Sequence, residues 1–188
     1  MTGREKFKRF EPIINMIILF FKIFGKKGNK YLLNLFRNTS GVFGILIRYV
    51  IIKNIAKEVG ANVSIHPGVF LFNLEKIEFG NNVSIHPMCY IEGAGGINIG
   101  NDVSIAHATT LISTNHTWDD DTIPIKYNKE TSKPIIINDD VWIGCGVRIL
   151  SGVELKSRTV VAAGAVVNKS YEPKSLIGGV PSKIIKKI

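Results

Sequence analysis

Of the four histidines in the chain, His116 keeps the most unusual company. The stretch STNHTWDDD, residues 113–121, sets it between a Thr–Asn pair and a Trp followed by three aspartates. An imidazole titrating near pH ~6.5 can take the proton of a hydroxyl and so act as a general base. Asp119 and Asp120 lie close enough in sequence to orient that ring or to bind the hydroxyls of a substrate, and Asn115 adds an amide beside it. Taken alone, the stretch reads as an acidic loop tip with a chance histidine. The other candidate for chemistry is Cys145, in WIGCGV. A thiol can form an acyl-enzyme. No cation or base adjacent in sequence would depress this one, which argues against a nucleophile.

What must position these residues is a repeat. VSIHP occurs at 63–67 and 83–87, and VSIAH at 103–107, a spacing of twenty. Within each unit an aliphatic recurs every six residues: Phe79, Ile85, Ile91, then Ile99, Ile105, Leu111, then Ile137, Ile143, Ile149, Leu155, Val161, Val167. Val83, Val103, Val141, Val147 and Val153 stand four positions after members of these runs. A six-residue period fits neither an amphipathic helix nor a simple alternating strand. It fits a short strand and a tight corner, with the aliphatic inward and Gly, Asn or Asp making the bend. Three such sides close a triangular coil of roughly eighteen residues, stacked at the ~4.8 Å strand spacing. The twenty-residue units then carry a two-residue corner insertion, read here at Ile97–Asn98. The repeat stops at Leu111 and resumes at Ile135, so residues 114–134 form one long surface loop headed by His116.

Composition bounds the rest. The 188 residues suffice for one domain with a small appendage, and 45% hydrophobic content argues against disorder. Two cysteines make no disulfide framework and no signal peptide is visible, which points to a reducing cytoplasm. The net charge of +9 is uneven: residues 1–57 hold 12 Lys/Arg against 2 Asp/Glu, and residues 58–188 hold 12 against 13. No aromatic–basic interleaving or DNA-binding motif accompanies this basicity, so nucleic acid is not expected as a partner. The basic part is also apolar. PIINMIILFFKIF at 12–24 and GVFGILIRYVII at 41–52 are too short to span a bilayer, which takes about 20 apolar residues. They read as two or three helices broken near Gly25–Gly28 and Thr39–Gly41. These either pack on protein or lie on an anionic membrane surface. The expected divisions are a helical segment at 1–58, the coil at 59–170, and a C-terminal tail or short helix at 171–188.

Over about residues 60–188 the repeat is similar to that of the hexapeptide-repeat acyltransferases. The resemblance implies a mainly β protein built on a left-handed parallel β-helix. STNH, an excursion, then NDVWIGCGVRILSGV resembles the sugar O-acetyltransferases of that family, in which a histidine heading the loop is the catalytic base. It thereby implies that role for His116, and a place near the acceptor for His86. Glu92 is the acid nearest to where galactoside-type enzymes carry substrate-binding aspartates. The literal matches, Gly93 and Ala94, have no carboxylate. The ending resembles the family's acetyl-CoA site. The Ala163–Gly164 corner would hold the pantetheine arm. Asn168, Lys169, Lys183 and Lys186 would meet the cofactor, the later lysines at its phosphates. Trp142 would border the groove, and Cys145 would touch the thiol end. The resemblance further implies direct transfer without a metal, a homotrimer with active sites between subunits, and a sugar or glycan acceptor. NHTWDDDTIPI behind a basic, apolar N-terminus is most like the branch acting on capsular or other surface polysaccharides, in the cytoplasm or at the inner face of the membrane. N-acetylation of an amino sugar would need the same base. A γ-type carbonic anhydrase shares the coil but needs three histidines on one zinc, and the spacings here, 20, 21 and 9, do not match it.

Overall fold

The computed structural model describes residues 3–188. Three parallel sheets wind into the expected left-handed β-helix of about six turns. One face stacks Glu58–Val59, Ile77–Phe79, Ile97–Ile99, Ile135–Ile137 and Glu154–Leu155. The second stacks Ser64–Ile65, Ser84–Ile85, Ser104–Ile105, Trp142–Ile143, Val160–Val161 and Ser175–Gly178. The third stacks Phe70–Phe72, Tyr90–Glu92, Thr110–Ile112, Arg148–Ile149 and Val166–Val167. The six-residue aliphatics all point inward: Ile85, Ile91, Ile105, Leu111, Ile143, Ile149 and Val167 have no exposed surface. Each such side chain contributes about 1.5–3 kcal/mol by leaving water. The valines at the intervening corner positions are buried as well.

Register explains the two periods. Partners lie twenty residues apart in the early coils, as Ile77 opposite Ile97, and eighteen apart later, as Ile137 opposite Leu155. The extra residues are not at Ile97–Asn98, which lie within a strand with Ile97 buried. They sit one corner earlier, at Gly93–Gly96 and at the 3-10 turn Leu74–Lys76, between faces three and one. Another corner is turned by Asn62, Asn82, Asp102 and Asp140, all at φ between 55° and 58°. Asn and Asp tolerate this left-handed region, and here they also stack. Asn62 donates to Asn82 and Asn82 to Asp102, each at 3.0 Å.

The N-terminal segment forms helices α1 (Gly3–Phe21), α2 (Gly25–Leu35) and α3 (Gly41–Lys53). The first break falls at the 3-10 turn Lys22–Phe24, and Gly28 lies inside α2. A Cβ on Gly28 would come within 2.9 Å of Phe24 Cβ, so the glycine lets Phe24 fold back over the turn. Helix α3 buries Ile47–Ile52 against the first coil. Its Arg48 is also buried, and burial holds its guanidinium below its usual pKa. Arg48 donates to the carbonyls of Phe36, Thr39 and Ile65, each at 2.8 Å. It thus ties the end of α2 to the first turn of coil. Among the described residues no helix is long and apolar enough to cross a membrane.

The C-terminus departs from expectation. Ser175–Gly178 adds a sixth parallel strand to the second face, beyond the boundary expected at residue 170. Lys183–Lys187, expected as a short helix, is a strand running antiparallel to it. The physical reason is the open edge. The last coil strand leaves a row of unpaired N–H and C=O groups, and pairing them outweighs the helical spacing of KIIKK.

Candidate active site

The long loop begins as an ordered ribbon. The chain leaves the coil at Ser113 and returns at Lys133, whose N–H donates to the Ser113 carbonyl at 3.1 Å. Between them, Thr114–His116 pairs antiparallel with Glu130–Ser132. Ser113 itself has no exposed surface. Its hydroxyl accepts from Gly95 N–H and donates to the Glu92 carbonyl, both at 2.8 Å. Ser151 donates in turn to the Ser113 carbonyl at 3.0 Å. The ribbon is therefore bolted to three successive coils at its base.

At its outer end His116 stands opposite Glu130, with Nε2 3.6 Å from Oε1. Both side chains are more than half exposed. Tyr90, Glu92, Ile112, Thr114, Asn115, His116 and Glu130 line one open cleft of about 360 Å³. Of the expected residues, His116, Asn115 and Glu92 come together here. Glu92 is also held by the protein: Ala94 N–H donates to Oε1 at 2.6 Å and Thr114 Oγ1 to Oε2 at 3.1 Å.

Asp119, Asp120 and His86 do not line this cleft within one chain. The Asp120 carboxylate accepts from the hydroxyl and the N–H of Thr122, at 2.6 and 3.0 Å, and these bonds hold it below the usual carboxylate range. Asn128 clamps the same turn through the Asp120 N–H and carbonyl, at 2.9 and 3.0 Å. His86 stacks on His66 at a corner, with centroids 4.8 Å apart and planes 6° from parallel. Sequence reasoning missed Tyr90, Thr114 and, above all, Glu130, the carboxylate that faces the imidazole. A signal was present. TNH and ETS are short polar segments with β-formers that flank a Pro/Asp/Asn-rich turn, the pattern of a long hairpin.

Of the second group of expected residues, Cys145 and Ala163 lie at the corner between the second and third faces, while Asn168 and Lys169 follow the third face at the next corner. Gly144–Cys145–Gly146 stacks under Ala162–Ala163–Gly164, with the Gly164 N–H donating to the Cys145 carbonyl at 2.8 Å. A Cβ on Gly144 would fall 2.7 Å from the Ala163 nitrogen, so only glycine permits this approach. Gly146 and Gly164 have φ of 67° and 70°, and the space beside each is open. Trp142 is exposed, and its row on the second face runs through Val160 and Leu176 to Lys186. Lys183 and Lys186 stand exposed on the last strand, while the Lys169 ammonium lies 5.6 Å from the Tyr171 ring centroid. Asn168 is exposed next to it. An open glycine corner, a flat indole and several cations suit a ligand with a slim neutral arm and a phosphorylated end. Cys145 is half-buried here. Cys89, by contrast, is fully buried with its thiol pushed up to about 11 by that burial. Among the described residues no three His, Cys, Asp or Glu side chains converge as a metal would require.

Residues 134–169 match the family model for the bacterial transferase hexapeptide (six repeats). A hexapeptide-repeat acetyltransferase of Vibrio cholerae, crystallised with acetyl-coenzyme A, is 30% identical, covers 85% of each chain and superposes with a TM-score of 0.75. The chain belongs to the hexapeptide-repeat acetyltransferases. A maltose O-acetyltransferase from Clostridium difficile is similar at 27% identity over 88% of this chain and 87% of its own, with a TM-score of 0.76. Among curated relatives, a putative acetyltransferase of Schizosaccharomyces pombe is 49% identical over 59 residues. That match spans 31% of this hexapeptide-repeat chain and 28% of the yeast protein.

Proposed function

We propose that the protein transfers an acetyl group from acetyl-CoA to a hydroxyl of a sugar, in the building of a capsular or other surface polysaccharide. His116 is the general base. It takes the proton of the acceptor hydroxyl as that oxygen attacks the thioester carbonyl. The C–S bond breaks, and the proton passes to the departing coenzyme A thiolate. Glu130 faces the imidazolium formed in between, 3.6 Å away, and steadies its charge. Asn115 and Glu92 meet the acceptor, with His86, Asp119 and Asp120 contributing from outside the cleft of a single chain. Trp142, Cys145, Ala163, Asn168, Lys169, Lys183 and Lys186 hold acetyl-CoA.

The observation that carries this reading is the ribbon. It presents a histidine, backed by a carboxylate, to a polar cleft on a coil of the acetyltransferase family. None of the residues lining the cleft is among those assigned to acetyl-CoA. This supports a homotrimer in which the corner of one copy meets the histidine of the next, in the reducing cytoplasm. The test is thiol release from acetyl-CoA with a panel of sugars, amino sugars and nucleotide sugars, with His116→Ala alongside. The variant should lose 10²–10⁴-fold in turnover while binding acetyl-CoA normally. Unchanged turnover in the variant removes the base. Acetyl esters on the product distinguish O- from N-transfer, and sedimentation gives the assembly.

A further inference from the structure

The helical segment has a face that nothing covers among the described residues. Helix α1 turns Phe7, Ile14 and Phe21 toward the core. On another side it exposes Ile13, Met16 and Phe20, at 53%, 65% and 58% of their surface, and Ile23 follows at 77%. Steps of about 100° per residue place Ile13, Met16 and Phe20 within roughly 60° of one another on the helix, a single stripe. Phe20, Phe21 and Phe24 cluster at its end, with ring centroids 5.5 to 6.0 Å apart. Exposed Lys22, Lys26 and Lys27 follow directly, where α1 gives way to α2, and exposed Lys8 and Arg9 precede the stripe. Only two acids, Glu5 and Glu11, fall in residues 1–57.

We infer that this stripe and its lysines seat the protein on an anionic lipid bilayer, with the apolar side chains among the acyl chains and the lysines at the headgroups. Charge decides between the two apolar partners such a face could take. A second copy would bring the exposed Lys8, Arg9, Lys22, Lys26 and Lys27 against the same five, which repels. An anionic surface attracts the same lysines, roughly fivefold in affinity for each one near the surface. A stripe of this length lies in the interface and does not span it.

The experiment is co-sedimentation of the full-length protein with vesicles of phosphatidylcholine alone or with about a third phosphatidylglycerol. The expected result is binding to the anionic vesicles that weakens as salt is raised. Reversing Lys22, Lys26 and Lys27 to Glu should lower it at least a hundredfold, from three lysines at roughly fivefold each. Met16→Ser with Phe20→Ser should abolish it, with the melting temperature and acetyl-CoA binding retained. Equal binding to both vesicle types, or none, overturns the inference. So does a change in the sedimentation coefficient of Met16→Ser/Phe20→Ser without lipid, because the face would then be an interface between copies. None of these readouts uses turnover, so the result stands or falls apart from the acetyl-transfer reading.

Discussion

Replacing Ser113 by alanine tests whether the coil sets the position of His116. The hydroxyl is fully buried, and it both accepts from Gly95 N–H and donates to the Glu92 carbonyl. In the variant the Glu92 carbonyl keeps the Ser113 backbone N–H at 3.2 Å. Gly95 N–H loses its side-chain acceptor. Stranding a donor costs about 1–3 kcal/mol, and the lost donation adds ~0.5–1 kcal/mol, for a net of about 2 kcal/mol. In a chain of this size that lowers the melting temperature by about 4–8 °C. The ribbon base would also loosen three residues before the histidine. A displacement near 1 Å can cost ~100-fold in rate, so a turnover loss of roughly tenfold is expected at 25 °C, with the KM for acetyl-CoA unchanged. Thr114→Val, which removes only the bond to Glu92 Oε2, should shift the melt by less than about 2 °C. Scanning calorimetry and thiol-release kinetics on both variants give the answer. A Ser113→Ala melt within 1 °C of wild type would refute the energetic argument. A lowered melt with undiminished turnover would refute the link from the coil to His116.

Two further outcomes follow from groups wholly or partly withdrawn from water. His66 is held below the ordinary histidine pKa, first by burial and then by His86 and Arg48. The unfolded chain therefore takes up a proton before the folded one as pH falls, and stability should drop on going from about pH 7.5 to 5.5. His66→Gln should flatten that slope in a series of thermal melts, and an unchanged slope would remove His66 as its source. At pH 8 a maleimide should label Cys145 and leave buried Cys89, with its thiol near 11, untouched until the protein is denatured. Acetyl-CoA should slow the labelling of Cys145 as followed by mass spectrometry, and rapid native labelling of both thiols would contradict the packing.

The coil was legible because its cause is local and periodic. Each inward Ile or Val answers to the residue one coil above, so the six-residue rhythm predicts the core that Ile85, Ile105 and Ile143 form. The head of the loop was legible too, since only an insertion can break such a rhythm. What happens inside the insertion was not. Glu130 meets His116 through a pairing fourteen residues long that no period announces. Asp120, attractive for its nearness to the histidine, makes its bonds to Thr122, two residues on, instead. The last strand failed for a different reason. Lys–Ile–Ile–Lys–Lys suits a helix by spacing, but the edge of Ser175–Gly178 supplied backbone partners that spacing cannot count. Arg48 was visible as a charge inside an apolar run. That it would be buried depended on which carbonyls α2 left open.

The two ends of the coil are closed by different means. At the first turn, α3 lends side-chain donors to the coil's carbonyls, Arg48 to Ile65, Tyr49 to Gly60 and Lys53 to Val59. At the last, the chain reverses direction. A stack of parallel strands has no intrinsic length, because each layer is as good a template as the one before it. Left bare, either end would recruit a like surface from another molecule and grow, as a fibril does. Helix and reversal together act as terminators of that growth. One consequence concerns the protein's history. A layer apart from those that hold the ribbon can be gained or lost between the terminators at little energetic penalty, since it meets neighbours like itself. The ends admit no such freedom, and so the reach of the molecule is variable by nature while its boundaries are not.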